Sequence, residues 1–391
     1  METNYAKLPQ HLALFSTLLL VSCGGGGGSG TPAPAPNPFH QMGGAIQGIA
    51  LNLTPAVSTF AGAARGADGT GAGARFTNPV GVVSDGTNLY VADTNDNKIR
   101  KIVIATGVVT TLAGSPTNAA GAADGAGAVA TFNSPYGITT DGTNLYVADA
   151  NNNKIRQIVI ATGAVSSLTG VANTASTAGA ADGIGTAATF NLPYGITTDG
   201  TNLYVADQGN NKIRKIVIAT GVVSSFTGAA SAPSAAGAQD GLAASATFAS
   251  PRGITTDGSN LYLADEANEK IRKIVIATGA VSSLTGMSST PGACGAVDGA
   301  AAAAMFCTPF GITSDGANLY VVDSTNNKIR KVVIATGQVS SVTGAASAVS
   351  AAGAMDGAGT TAEFNFPIGI TTDGASLYVT DTGNNTVRKI Q

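Results

Sequence analysis

A single turn signal, Asp-Gly, returns at Asp85, Asp141, Asp199, Asp257, Asp315 and Asp373, and the residues around each occurrence are nearly identical. The intervals are 56 residues once and 58 residues four times. A period of this length restricts the chain to a solenoid, a propeller or an array, because each unit must bury its apolar faces against its neighbours. In the second copy the unit runs from Gly137-Ile138-Thr139-Thr140 through Asp141-Gly142-Thr143-Asn144 into Leu145-Tyr146-Val147-Ala148-Asp149. It continues through Lys154-Ile155-Arg156-Gln157-Ile158-Val159-Ile160 and Ala161-Thr162-Gly163 to Val165-Ser166-Ser167-Leu168.

These segments predict four short strands, here called a to d. Asp-Gly-Thr-Asn is a hairpin turn between a and b. The Asn-rich segment before Lys154 turns the chain between b and c, since Asn and Asp tolerate left-handed backbone. Ala-Thr-Gly joins c to d, with Gly in the left-handed position. Strands b and c are apolar on both faces, whereas a free-standing sheet would keep one face polar. Each buried Ile, Leu or Val yields about 1.5–3 kcal/mol before entropy is subtracted, and a single unit cannot collect this alone.

The two ends of the array complement one another. The last copy stops within strand c, at Thr386-Val387-Arg388-Lys389-Ile390-Gln391. Its missing strand d precedes the first copy as Val57-Ser58-Thr59-Phe60-Ala61-Gly62, which matches Val165 to Gly170. An open solenoid would present polar caps at both ends. The expectation is therefore an all-β protein: a single six-bladed β-propeller of four-stranded blades over residues 55–391, closed by an N-terminal strand that completes the last blade. With 52 Gly, no Trp and only 11% charged residues, the composition fits many turns and few helices.

Ahead of the repeats, Leu12 to Val21 is a compact apolar run, too short to span a bilayer as a helix but suited to a signal peptide. Leu20-Val21-Ser22-Cys23 resembles a bacterial lipobox, with Cys23 as the lipidated mature N-terminus. The resemblance assigns residues 1–22 to a signal peptide. Residues 23–54 become the lipid-anchor Cys followed by a Gly/Pro/Ala-rich linker, flexible in its glycines and extended in its prolines. Ile46, Ile49, Leu51 and Leu53 are candidates for a short strand on the domain edge. An ordinary secretion signal or an uncleaved anchor is the alternative.

The segment Ala130-Thr131-Phe132-Asn133-Ser134-Pro135-Tyr136-Gly137-Ile138, with Leu145 to Asp149 and Asn153-Lys154-Ile155-Arg156, resembles an NHL repeat. The upstream Ala123-Asp124-Gly125 is similar to the extended NHL repeats of bacteria and plants. The resemblance covers roughly residues 55–391. It implies a propeller and, for most of that family, an interaction platform, with a few lyases and related enzymes among its members. Many NHL repeats carry Asn-His before the basic residue, whereas this chain has Asn-Asn or Asn-Glu.

That departure leaves only His11 and His40, both ahead of the repeats. A histidine-ligated metal, a histidine base or a Ser-His-Asp triad within the folded domain is thereby excluded. Of the 23 acidic residues, 18 occupy three positions copied six times, those of Asp68, Asp85 and Asp93. A catalytic pair needs two different environments, and six copies of one turn residue read as structure. Asp93-Thr94-Asn95-Asp96-Asn97 opens like a calcium loop but lacks the Gly and distal Glu at the required offsets, so an Asx-rich turn is preferred. Asp93 and Arg100 recur at fixed spacing. A structural contact is the first reading and a ring of arginines facing a central channel the second. Sixteen of the twenty basic residues lie in the repeated strand c, so with a net charge of −3 nothing gathers into a nucleic-acid-binding patch. Cys294 and Cys307 both depart from the repeat within one unit. They read as a local disulfide made in an oxidising compartment, or as two free thiols in a loop.

Differences among the copies concentrate in the b–c turns, the d–a connections and the residue between Pro and Gly before strand a. Strand parity puts these on one face. The Pro-x-Gly residues are Val80, Tyr136, Tyr194, Arg252, Phe310 and Ile368. Tyr, Phe and Arg are enriched in binding hot spots, so this ring is the candidate binding face, and packing beneath the loops is the alternative. The leading expectation is an exported, lipid-anchored, monomeric scaffold at the cell envelope, on the outer membrane or cell surface. It would bind an unidentified protein or glycan, with no catalytic residue, metal or cofactor assigned and the membrane reached through the lipid alone. A structural or adhesive spacer is the second reading. A histidine-free, lactonase-like hydrolase with a carboxylate-held channel metal is the third.

Overall fold

A computed structural model describes residues 50–62, 67–287 and 290–391. Cys23, Ile46, Ile49 and the expected signal peptide lie outside the described residues. The repeats build six antiparallel sheets. In the third blade, strand a is Pro193–Thr198, b is Asn202–Asp207, c is Lys212–Val217 and d is Val222–Ser225. The b–c register pairs Leu203 with Ile216 and Val205 with Arg214.

The expected two-faced burial is present. Leu203, Val205, Ile216 and Val223 pack against Tyr146, Ala148 and Ile155 of the second blade. From the opposite face of the same sheet, Tyr204, Ala206 and Ile213 pack against Phe248, Ile254, Leu261 and Leu263 of the fourth. The period-2 alternation of a strand thus feeds two different interblade cores.

Turn chemistry follows the residue types. Asp199 Oδ1 accepts from the backbone N–H of Thr201 and of Asn202, at 2.9 and 2.6 Å. Its Oδ2 takes the buried Tyr204 hydroxyl at 3.1 Å. The b–c turn is a short 3₁₀ segment ending in Asn211, at φ 51°, and the c–d turn closes on Gly221, at φ 66°.

Ring closure occurs as expected. The N-terminal strand Ala56–Ala61 pairs with the last strand, Thr386–Ile390, matching Val57 with Ile390 and Thr59 with Arg388. Across the seam between the last and first blades, Thr380 Oγ1 donates to the Val80 carbonyl and Thr382 Oγ1 to the Pro79 carbonyl, both at 2.7 Å.

Two expectations need correction. The blades are not uniformly four-stranded. In four of them the upstream Asp-Gly segment adds a two-residue outer strand, such as Gly183–Ile184 against strand d. In the other two it makes a single bridge, Gly125 to Val165 and Gly299 to Val339. The reason is that strand d would otherwise leave an outer edge of unpaired backbone groups. Leu51 and Leu53 form no strand. They lie half-buried against the core between the fifth and sixth blades, where the Leu51 N–H donates to Asp315 Oδ2 at 2.9 Å.

Candidate binding face

The repeated charges settle into structure before any site is considered. Arg214 is fully buried. Its Nη1 donates to Asp207 Oδ2 and to the Thr189 carbonyl, at 3.0 and 2.8 Å. Its Nη2 donates to Asp182 Oδ1 and to the Ala181 carbonyl, at 2.8 and 2.7 Å. The guanidinium stacks 4.9 Å from the Phe190 ring. Arg100, Arg156, Arg272, Arg330 and Arg388 repeat the arrangement. The reading of these arginines as a ring facing the channel is overturned. Each is drawn into its own blade because a buried guanidinium needs acceptors for its fixed fork of donors, and two carboxylates with two carbonyls supply them.

The inner aspartates are equally committed. Burial pushes Asp93 up to about 7, against the opposing effects of the Thr77 N–H and the Arg100 guanidinium. Asp93 Oδ1 accepts from the Thr77 N–H and Oδ2 from Arg100 Nη1, so both carboxylate oxygens that open the turn resembling a calcium loop already hold donors.

The six Pro-x-Gly residues do converge. In the third blade the register shifts between Pro193 and Ile196, a bulge that re-aims residue 194 out of the ladder. The following glycine is obligatory here for steric reasons. A Cβ on Gly195 would collide with the Arg252 carbonyl, one on Gly137 with that of Tyr194, and one on Gly369 with that of Val80. The innermost strands therefore approach so closely that the x side chains meet at the centre. Val80, Phe310 and Ile368 are buried there, with Tyr136 and Tyr194 packed against them. Tyr136 and Tyr194 stack at 4.0 Å between ring centroids. The Arg252 guanidinium lies 4.1 Å from the Tyr194 ring centroid and 4.9 Å from that of Phe310.

Arg252 differs from the structural arginines. Its Nε is buried without a hydrogen bond, as are those of Arg100, Arg156, Arg214, Arg272 and Arg388, but in place of their two short ion pairs it has one long one, to Glu266 at 3.6 Å. Burial, reinforced by the neighbouring Tyr136 and opposed by Arg252, holds the Tyr194 hydroxyl well above the usual tyrosine range. The cluster is thus a tight aromatic–cation group with one under-satisfied donor.

Sequence reasoning missed the residue just before each Pro. All six, Asn78, Ser134, Leu192, Ser250, Thr308 and Phe366, hold φ between 48° and 56°. Asn suits that left-handed region, whereas Leu and Phe are disfavoured there. Yet Leu192 is 39% and Phe366 42% exposed, and Phe366 lies 6.0 Å from Phe310. The signal was available, because this position varies among the copies as much as its neighbour does. The backbone N–H of five of these residues is held by the left-handed Asn of the preceding blade's b–c turn, as Ser250 is by Asn211 Oδ1 at 3.0 Å. In the remaining pair Glu269 replaces Asn and accepts from the Thr308 N–H at 2.6 Å. Burial pushes Glu269 up to about 6, helped by Glu266 and Asp323 and opposed by the Thr308 bond.

Beside Glu269, the structure brings Cys294 and Cys307 to 1.94 Å between sulfurs, 13 residues apart in sequence. Their Sγ atoms and a Glu269 carboxylate oxygen lie within 4.8 Å of one another. With the sulfurs bonded to each other, neither is a thiolate able to hold a metal.

No family model matches the chain. It is 28% identical over 344 residues to NHL repeat-containing protein 2 of Gallus gallus, covering 80% of this chain and 46% of the relative. The match to the Homo sapiens protein of the same name is also 28%, covering 77% and 44%. The chain thus spans less than half the length of these relatives. An auxiliary nutrient binding protein from Bacteroides thetaiotaomicron superposes with a TM-score of 0.63 at 17% identity, covering 87% of this chain and 77% of that one.

Proposed function

The chain is an NHL-repeat β-propeller, and from that premise we propose that it is a non-catalytic scaffold that binds a protein or glycan through the face carrying the b–c turns and d–a connections. The observation that carries this reading is the contrast between two sets of residues. Repeated chemical groups, the arginines and the three families of aspartates, are consumed by hydrogen bonds within and between blades. Tyr136, Tyr194, Arg252, Leu192 and Phe366 break the repeat and gather on one face. Amphipathic aromatics and Arg are the types that anchor interfaces. The exposed Leu192 and Phe366 hold unfavourable backbone conformations, which concentrate at functional sites.

The propeller of similar fold named as an auxiliary nutrient binding protein supports a binding role of this kind. Export and anchoring through a lipid on Cys23 rest on the lipobox-like segment and place the scaffold at the cell envelope. The test compares the protein with its Y136A/Y194A/R252A variant in glycan-array and proximity-labelling experiments, alongside an unfolding curve. Loss of the captured ligand with a cooperative transition retained supports the face. Unchanged capture refutes it. Mass spectrometry of the mature N-terminus tests the anchor: an unmodified Cys23 in membrane-free protein overturns that part.

A further inference from the structure

The first strand c begins at Lys98, and its counterparts in the next four blades are Lys154, Lys212, Lys270 and Lys328. Each of these four ammonium groups donates to at least one carbonyl of the connection that follows its own strand d. Lys154 Nζ donates to the Val171 carbonyl at 2.5 Å and to Ser167 Oγ at 3.2 Å. Lys212 donates to the Ala229 carbonyl at 2.6 Å, Lys270 to that of Met287, and Lys328 to those of Ala345 and Ala348. In the sixth blade Thr386 stands in that place.

Lys98 has no such partner among the described residues, although it is only 6% exposed. The cause is legible in the chain. The first interval is 56 residues instead of 58, so this d–a connection is two residues short. Ala113 replaces the Thr that in the next four blades stops strand d by capping strand c, as Thr169 Oγ1 does for the Ile155 N–H. Strand d therefore runs on through Val108–Ala113. Gly114 then leaves at φ 118°, where Gly170 has φ 73°. The carbonyls that should return to the ammonium are carried away, and a cavity of about 360 Å³ opens in their place, lined by Asp68, Lys98, Thr111, Leu112, Pro116 and Ala128.

The Lys98 ammonium is not among the buried side-chain atoms that lack a partner, so it opens into this cleft, with three donors and no acceptor of its own. Asp68 does not supply the acceptor, for no ion pair joins it to Lys98. Its Oδ1 instead takes Arg100 Nη2 at 2.9 Å and Thr111 Oγ1 at 3.0 Å. Its Oδ2 accepts nothing from the described residues, and the side chain, 52% exposed, lines the same cavity. We infer that this cleft in the first blade is a binding site for a small carboxylate that also carries an N–H donor, the chemistry of a free amino acid or of its N-acylated form. The carboxylate replaces the missing loop carbonyls at Lys98 Nζ, the N–H meets Asp68 Oδ2, and Leu112, Pro116 and Ala128 accept a short apolar side chain. None of the lining residues belongs to the aromatic cluster, and the site stands whether or not that cluster binds anything.

The probes are alanine, N-acetylalanine, propionate and alaninamide, titrated by calorimetry and amide NMR into the intact protein. Alanine or N-acetylalanine binds saturably, and the choice between them shows whether the charged amine or the amide is preferred. Propionate is weaker and alaninamide does not bind. K98M keeps the stem, removes the ammonium and weakens binding about 10- to 100-fold, the range for a charge-assisted hydrogen bond. K154M leaves binding unchanged. A graft of Val171–Ala178 over residues 115–120 with A113T restores the longer loop, fills the cleft and abolishes binding while keeping a cooperative unfolding transition. Absence of saturable binding by either alanine probe overturns the inference, as does K98M binding like the parent, alaninamide binding as well as alanine, or the graft retaining affinity.

Discussion

Arg214→Met distinguishes an arginine that builds the fold from one held ready for a ligand. The substitution keeps an unbranched stem over Phe190 while deleting four hydrogen bonds, two of them to carboxylates. Asp207 is left fully buried, with only the Asn191 N–H and Asn210 Nδ2 as donors. Removing one partner of a buried ion pair costs about 3–5 kcal/mol. The orphaned carbonyls of Thr189 and Ala181 add about 1 kcal/mol each at the low end of the range for an unmade bond. Burial already raises the Asp207 pKa, so proton uptake limits the charge penalty, and the expected total is about 4–6 kcal/mol. Guanidinium unfolding followed by circular dichroism reads this as a shift in midpoint at unchanged slope. The double variant R214M/D207N removes the stranded charge and should recover about 2 kcal/mol, a coupling that a double-mutant cycle isolates. A loss below about 1 kcal/mol for R214M, or no recovery in the double variant, would refute the structural assignment of the arginine ring.

Three further outcomes follow from the geometry. Deleting the chain through Gly62 strips Thr386–Ile390 of its partner and exposes an unpaired strand edge. Analytical ultracentrifugation should show concentration-dependent association, and a monomer of unchanged midpoint would contradict the closure. Replacing both Cys294 and Cys307 by Ala should cost about 2–3 kcal/mol, as expected for a short closed loop. A reductant should lower the parent to the level of the variant and leave the variant unmoved. Glu269 titrates near 6 in the fold, against 4.5 for an ordinary glutamate. Because the fold holds this proton more tightly than the unfolded chain does, its contribution is full below pH 4.5 and is lost as pH rises through about 6. The melting temperature of E269Q relative to the parent should therefore climb across that window, and a flat difference would show that Glu269 is not perturbed.

How much the sequence discloses differs between blade and axis. The 58-residue period, the Asp-Gly turns, the Asn that accepts φ near 50° and the complementary ends at Phe60 and Val387 are local signals repeated six times, and the strands, turns and seam followed them. The role of Arg214 was readable only as a spacing, because its second carboxylate, Asp182, lies 32 residues away along the chain and arrives through the outer edge of the sheet. Leu192 and Phe366 stand at a position whose variation among the copies is legible in the sequence, but their left-handed backbone and exposure are set by the tertiary structure.

Alone, the sequence determined a closed ring of six like blades, since alternating apolar residues and turn signals act within a few residues and each copy restates them. Tertiary structure decided what stands at the centre and what stays unpaired. The six Pro-x-Gly side chains pack on one another because the glycines let neighbouring carbonyls approach to contact. Lys98 keeps a cavity because one connection, two residues short, no longer reaches back to it. Both depend on distances between segments that the period brings together but whose side-chain fit it does not encode.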